Sequence, residues 1–259
     1  MRQTEMGAAL QQLASGVAEG DSAALSDLTA ELLQLPDKAA RLTTRAAFLL
    51  GDPALAAIRD GLTAPAGTFA VQESQRISGI EDRAVVAGAN VVVSSQTDET
   101  SARLSFQIRD TEAALETRVR FLTSETIRAL AAPRLQPRML GQGAQILATL
   151  QLTATHITRY TTLAHDPNPL HADITAAQAA GFTDVIAPGM LLCALAEAGF
   201  AQTNPYTKIH DLRARFLSPA LVNTSVQVVV SQTSKTKSRV FVVSETQDIH
   251  AIVDIFPTG

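Results

Sequence analysis

Tyr160-Thr161-Thr162-Leu163-Ala164-His165-Asp166-Pro167-Asn168-Pro169-Leu170-His171 decides how this chain is read, together with Ile186-Ala187-Pro188-Gly189-Met190 downstream. Pro167 and Pro169 fix φ and remove two backbone donors, so this segment is neither regular helix nor sheet interior. It reads as a stiff bend with the Asp166 carboxylate at one end and the His171 imidazole at the other. Such a pair can act as an acid/base set, because the carboxylate stays ionised and imidazole changes charge near neutral pH. A rigid loop helps, since catalytic groups must hold their geometry to a fraction of an ångström. The plainer alternative is a loop staple, with Asp166 accepting backbone N–H groups and His171 filling a crevice.

Beyond the bend, Asp173 or Thr175 can cap a helix that Gly181 ends. An extended piece, residues 183–187, leads to Pro188-Gly189 and a second, apolar helix over about 190–198. Its first turn offers free N–H groups and a partial positive charge. Gly189 lets a ligand oxygen come close, so this turn can hold a developing oxyanion.

The stretch from Tyr160 to Met190 resembles the MaoC-like, or hydratase 2, family of hotdog-fold enzymes. Tyr160, Leu163, Asp166, Asn168, Pro169, Leu170, His171, Ala176, Gly181, Phe182, Gly189 and Met190 carry the resemblance without a gap. His165 stands where the family usually has glycine, which bears on the loop, the pocket and the pH response. The resemblance implies that Asp166 and His171 activate water for syn addition to a trans-2-enoyl thioester, giving an (R)-3-hydroxyacyl thioester. It implies too that the Gly189 N–H binds the thioester oxygen. Dehydration is the same reaction reversed. The alternatives are a non-catalytic acyl-thioester-binding protein and a thioesterase on the same fold.

Tyr160, His165, Asn168, Pro188 and Met190 are candidates for substrate contact, with Asn168 chiefly positioning the loop and Tyr160 chiefly packing. Arg213 and Arg215 share one face of a strand and could meet the phosphates of a thioester carrier, or simply make surface ion pairs. His165-Asp166 makes a poor metal site, since no further ligands accompany it and the prolines break any helix there. Ser231 and Ser244 lack the turn that exposes a nucleophile. No cofactor is expected; CoA or an acyl carrier enters as part of the substrate, in the manner of fatty acid metabolism.

A second signal lies in the strands. Val91-Val92-Val93-Ser94 is echoed by Val228-Val229-Val230-Ser231, and Ala102-Arg103-Leu104 by Ser238-Arg239-Val240. Val119 to Phe121 is echoed more faintly by Asp254 to Phe256. The separation drifts only from 137 to 135 residues, which suggests a duplicated unit of three long meandering strands. Only the second copy holds the Asp166–His171 motif. With the resemblance, this implies an α+β double hotdog: two antiparallel sheets, a central helix in the C-terminal unit, and a helical N-terminal segment. The expected division is 1–124 (helices plus a degenerate hotdog), a Pro- and Gly-marked linker over 125–144, and a catalytic hotdog over 145–259.

Residues 1–62 read as helical, with Asp21-Ser22 and Asp37 as caps and a packing stripe of Leu25, Leu28, Leu32 and Leu33. Strands are expected over about 67–77, 84–96, 102–110 and 114–123, with a turn at Asp98-Glu99-Thr100. In the second unit a first strand is expected over 145–155 and a helix over 156–164. A hydrophobic fraction of 46% and a charged fraction of 18% suit a soluble globular chain. The net charge of −4 argues against nucleic acid and anionic membrane as partners. Cys193 is the sole cysteine and excludes an internal disulfide. With no apolar leader in view, a cytoplasmic protein is expected, as a monomer with an internal pseudo-dimer or as a homodimer.

Overall fold

Among the described residues, runs of β-branched residues with apolar side chains on alternate positions build nine antiparallel strands. They are β1 Thr68–Ser78, β2 Val91–Thr97, β3 Ser101–Ile108, β4 Ala114–Thr123, β5 Gln142–Leu152, β6 Ile209–Phe216, β7 Thr224–Ser234, β8 Lys237–Ser244 and β9 Ile249–Pro257. This computed structural model describes residues 19–35, 64–79, 91–108, 112, 114–164, 166, 168–205 and 207–258. The helices expected over 1–18 and 36–62, with the Asp37 cap, and the strand start over 84–90 lie outside those residues, as does His165.

The strands form one sheet in the order β2-β3-β4-β1-β6-β9-β8-β7-β5. This corrects the expectation of two separate sheets. β1 and β6 pair antiparallel from Ser74↔Arg215 to Ser78↔Asp211, so each half satisfies the other's open edge. The order β2-β3-β4-β1 is answered across this seam by β7-β8-β9-β6, and the echoed strands occupy equivalent places. Both meanders expected from the echo, β2-β3-β4 and β7-β8-β9, are present.

The sheet wraps a long apolar helix, Gly189–Thr203. In chain order the helices are α1 Glu19–Leu32, α2 Ser124–Arg128, α3 Ala154–Leu163, α4 Ile174–Ala180 and α5 Gly189–Thr203. Every residue of α5 from Met190 to Phe200 is buried, as expected of a helix that is apolar on nearly every side, and its one charged residue, Glu197, is buried with them. It runs five residues past the expected end at 198, because the apolar sequence continues through Phe200. Val226, Val228, Val240, Val242, Ala251 and Val253 share its core. Leu25, Leu28, Leu32 and Leu33 of α1 and the following turn join that same core, so the leucine stripe is a packing face. Asp21 and Ser22 lie inside α1 and are not its cap, since the helix already runs from Glu19.

The other face of β7, β8 and β9 carries a second cluster of Val229, Phe241, Val243, Ile249 and Ile252. The segment joining the halves covers it with Leu135, Met139 and Leu140. Backbone bonds from Leu135 N–H to Gln247 O (2.8 Å) and from Ile249 N–H to Pro133 O (2.8 Å) hold that segment down. Burial on both faces explains why these strands read as continuous apolar runs. At the β2–β3 turn the Asp98 carboxylate accepts from the Thr100 and Ser101 N–H groups at 2.7 and 2.8 Å. The Thr100 hydroxyl and N–H and then Ser101 hold this carboxyl down at about 2.

Candidate active site

Thr153 caps α3, and the chain leaves that helix through Ala164 into the two-proline bend. Asp166 N–H donates to Thr161 O at 2.9 Å, which ties the bend to the end of the helix. The Asp166 carboxylate accepts from Asn168 N–H at 3.0 Å, and the Asn168 side-chain oxygen accepts from Leu170 N–H at 3.2 Å. These two local turns feed a single 3-10 turn, Pro169–His171. Asp173 then caps α4 by accepting from Thr175 and Ala176 N–H, and Gly181 ends it at φ 104°. That conformation suits glycine. Of the two candidate caps, Asp173 fills the role.

His171 Nδ1 lies 2.8 Å from the Ile186 carbonyl, which can only accept. Nδ1 therefore carries the proton, and Nε2 of the neutral ring offers its lone pair. Nε2 lies 3.2 Å from Asn168 Nδ2 and 3.6 Å from Asp166 Oδ2. Both side chains of the acid/base pair are nearly buried, at 8% and 6% exposure. Ile186 is itself fixed, since its N–H donates to Leu170 O at 3.1 Å. The imidazole is thus held in one tautomer and one orientation.

Asp166, Asn168 and His171 line a cavity of about 270 Å³ with Pro188, Gly189 and Met190 at the start of α5. The first N–H groups of α5 have no acceptor within the helix and belong to this wall. Most of the remaining lining is apolar and includes Leu122, Phe182, Leu192 and Phe216. A Cβ at position 189 would come within 3.0 Å of the Phe216 ring and 3.1 Å of Gln72 Oε1, so glycine is what lets these two side chains pack close to the start of α5. Asp166, Asn168, His171, Pro188, Gly189 and Met190 are thus gathered in one place.

Three other candidates lie elsewhere. Tyr160 is buried in the main core, at 1% exposure. Arg213 and Arg215 alternate with the buried Leu212 and Ala214, so they stand on the sheet face turned away from α5. There Arg213 pairs with Asp211 at 2.6 Å and stacks 4.7 Å over Phe256, while Arg215 lies 3.7 Å from Asp254.

The motif gave no sign of Gln72, which comes from β1 in the other half. Gln75 Nε2 donates to Arg76 O (3.5 Å), so Gln75 Oε1 is the acceptor for Thr117 Oγ1 (2.6 Å) and Gln72 Nε2 (3.1 Å). The Gln72 amide is thereby oriented with its oxygen towards Gly189. Phe216 was signalled only by its place one residue past Arg215, on the inward parity of β6.

Beneath the wall formed by Ser218 and Pro219 lies His250, which is buried. Ser218 Oγ is 3.1 Å from its Nδ1. Burial holds the pKa of this imidazole below the ordinary value. Burial pushes the Asp254 carboxyl up, but Arg239 and Lys237 outweigh it and hold the group low. The unfolded chain takes a proton on His250 from about pH 6.5 downwards, before the folded chain does. Stability should therefore begin to fall as the pH drops below about 6.5. The Asp254 contribution persists above about pH 3.9 and is lost only as the pH falls through its lower folded value. Urea midpoints measured against pH should show the first decline, and His250→Gln should flatten it. An unchanged slope in that variant removes His250 as the cause.

Residues 138–253 match the family model described as MaoC like domain. A short segment is 56% identical over 36 residues to the mitochondrial 3-hydroxyacyl-[acyl-carrier-protein] dehydratase FERN of Solanum lycopersicum. That match covers 14% of this chain and only 22% of the relative's length. The fold is similar to that of HtdX from Mycobacterium tuberculosis, with a TM-score of 0.64 at 19% identity over 91% of this chain and 96% of that one. It is similar also to a second Mycobacterium tuberculosis protein described as having a double hotdog fold, with a TM-score of 0.52 at 12% identity over 99% and 92% of the two chains.

Proposed function

Because residues 138–253 form a MaoC-like dehydratase domain, we propose that this protein adds water reversibly to a trans-2-enoyl thioester, giving an (R)-3-hydroxyacyl thioester. The observation that carries this reading is the Asp166–His171 pair, 3.6 Å apart, on the wall of an apolar cavity that also holds the N-terminus of α5. The cavity takes the acyl group. The first N–H groups of α5, at Gly189, face the thioester oxygen and stabilise the charge it gains as an enolate. Asp166 and His171 bracket one water. Its oxygen bonds to C3, its proton passes to the imidazole–carboxylate pair, and the pair returns a proton to C2 from the same side. One water is consumed and no redox change occurs. With both groups on one loop, addition is syn. The thioester is borne by CoA or by an acyl carrier protein, and the carrier named for the tomato relative supports the second. A reducing cytoplasm is the proposed setting.

Loss of enoyl-thioester absorbance with crotonyl-CoA and with a longer trans-2-enoyl-CoA tests the reading, with chiral analysis of the product. An (R)-3-hydroxyacyl product is expected. Binding without turnover would make this an acyl-thioester-binding protein instead, and free thiol released from a saturated thioester would make it a thioesterase.

A further inference from the structure

The nine strands carry twelve Lys, Arg, Asp and Glu residues: eight cations and only four acids. That is a net charge of +4 on the sheet of a chain whose total is −4. All other segments together are therefore strongly acidic. The positive charge is concentrated on the face turned away from α5. Six arginines there, Arg76, Arg103, Arg118, Arg120, Arg213 and Arg215, have side chains between 47% and 52% exposed.

The register makes this face costly. Arg103 lies directly opposite Arg118, with Glu116 3.8 Å from Arg103, and Arg76 lies directly opposite Arg213, with one carboxylate, Asp211, shared between them at 3.3 and 2.6 Å. Like charges in such positions destabilise a sheet. The neighbouring acids are already shared. Glu73 lies within ion-pair distance of Arg118 (3.0 Å) and Arg120 (4.0 Å), and Asp254 serves Arg215, Lys237 and Arg239. Four acids are thus divided among eight cations, and the face keeps an excess of positive charge. The Arg76–Arg213 pair sits on the β1–β6 seam, and Arg120 and Glu73 also line the rim of the cavity. The positive face thus runs continuously into the candidate site.

We propose that this arginine face docks an acidic acyl carrier protein, which passes its thioester arm over the Arg120–Glu73 rim into the cavity. The proposal rests on the thioester reading above and selects the carrier. The arginines span β3, β4, β1 and β6, three strand spacings or roughly 14 Å, and extend along the strands as well. That area suits an acidic protein surface better than the few phosphates of a coenzyme. Arginine forks suit carboxylates, and the field of the face speeds encounter with an acidic partner.

The test is Arg103→Ser/Arg118→Ser in the full chain, which removes one opposed pair and leaves every cavity-lining residue in place. Binding of a phosphopantetheinylated acyl carrier protein is followed by fluorescence anisotropy. Wild type should bind it, and binding should weaken about tenfold between roughly 50 and 300 mM salt. The double variant should bind about tenfold more weakly at low salt and respond less to salt. Its turnover of enoyl-CoA should match wild type. Equal carrier binding by both proteins overturns the proposal. So does a raised KM for enoyl-CoA with carrier binding unchanged, which would assign the face to coenzyme phosphates. Loss of a homodimer on sedimentation, with no carrier effect, would assign it to a second copy and overturn the proposal equally. Salt-sensitive carrier binding without any turnover supports docking while the hydratase reading fails.

Discussion

Asp166→Asn and His171→Ala should each slow enoyl-thioester hydration by about 10²–10⁴-fold, the range for loss of a positioned acid or base. Both folds should survive. Asparagine at 166 keeps an oxygen for the Asn168 N–H, and removal of the His171 ring takes a partner from the Ile186 carbonyl, the Asn168 amide and the Asp166 carboxylate, all on the cavity wall or next to it. A buried group left dry costs about 1–3 kcal/mol, and less where cavity water reaches it. The two groups act on one water, so the double variant should be little slower than the worse single one. Stopped-flow absorbance for rate and thermal melting for fold separate the effects. A variant with near wild-type turnover would remove that residue from the chemistry.

Gly181→Val should have the largest effect on stability. Position 181 sits at φ 104°, which costs a branched residue about 1–2 kcal/mol. A Cβ there would also stand 2.4 Å from the Ser124 carbonyl oxygen, a backbone atom that cannot swing aside. The end of α4 and the start of α2 must then part, which adds about 1–3 kcal/mol of overpacking strain. The total is about 3 kcal/mol, or roughly 6–12 °C in Tm for a chain of this size. The displaced residues belong to a cluster containing Ala177, Ala180, Phe182 and Leu170, and Leu170 adjoins His171. Activity should therefore fall below the melting transition as well. Urea unfolding gives the free energy, and a change under about 1 kcal/mol would mean that α2 and α4 separate freely.

The site's near part was legible because its geometry is local. Asp166, Asn168 and His171 lie within six residues, and two prolines, an Asx turn and a helix cap determine how they stand. The α5 helix was legible because all but one of the residues from Met190 to Phe200 are uncharged and nearly all are apolar or small. What depends on pairing between distant strands was not. Alternation in β6 put Arg213 and Arg215 on one face, but only the burial of Leu212 and Ala214 against α5 shows which. Gln72 reaches Gly189 because the sheet continues through β1 and β6, and no local pattern announces that seam. The strand echo showed that a unit recurs, yet two separate sheets and one joined sheet leave the same echo. Edge pairing is decided by backbone groups, which every sequence shares.

The joined edge also bears on how the molecule folds. Ser74 and Arg215 are neighbours in the sheet but lie 141 residues apart in the chain, so this contact is among the most non-local in the fold. Closing so long a loop is entropically unfavourable and comes late unless both ends are already ordered. The two meanders, β2-β3-β4 and β7-β8-β9, need only short turns and can form first. Until they meet, β1 and β6 are open edges able to recruit the wrong chain. Opposed arginines at that edge, Arg76 and Arg213, make identical edges repel. The charges that crowd the finished sheet thereby guard its unfinished form against aggregation.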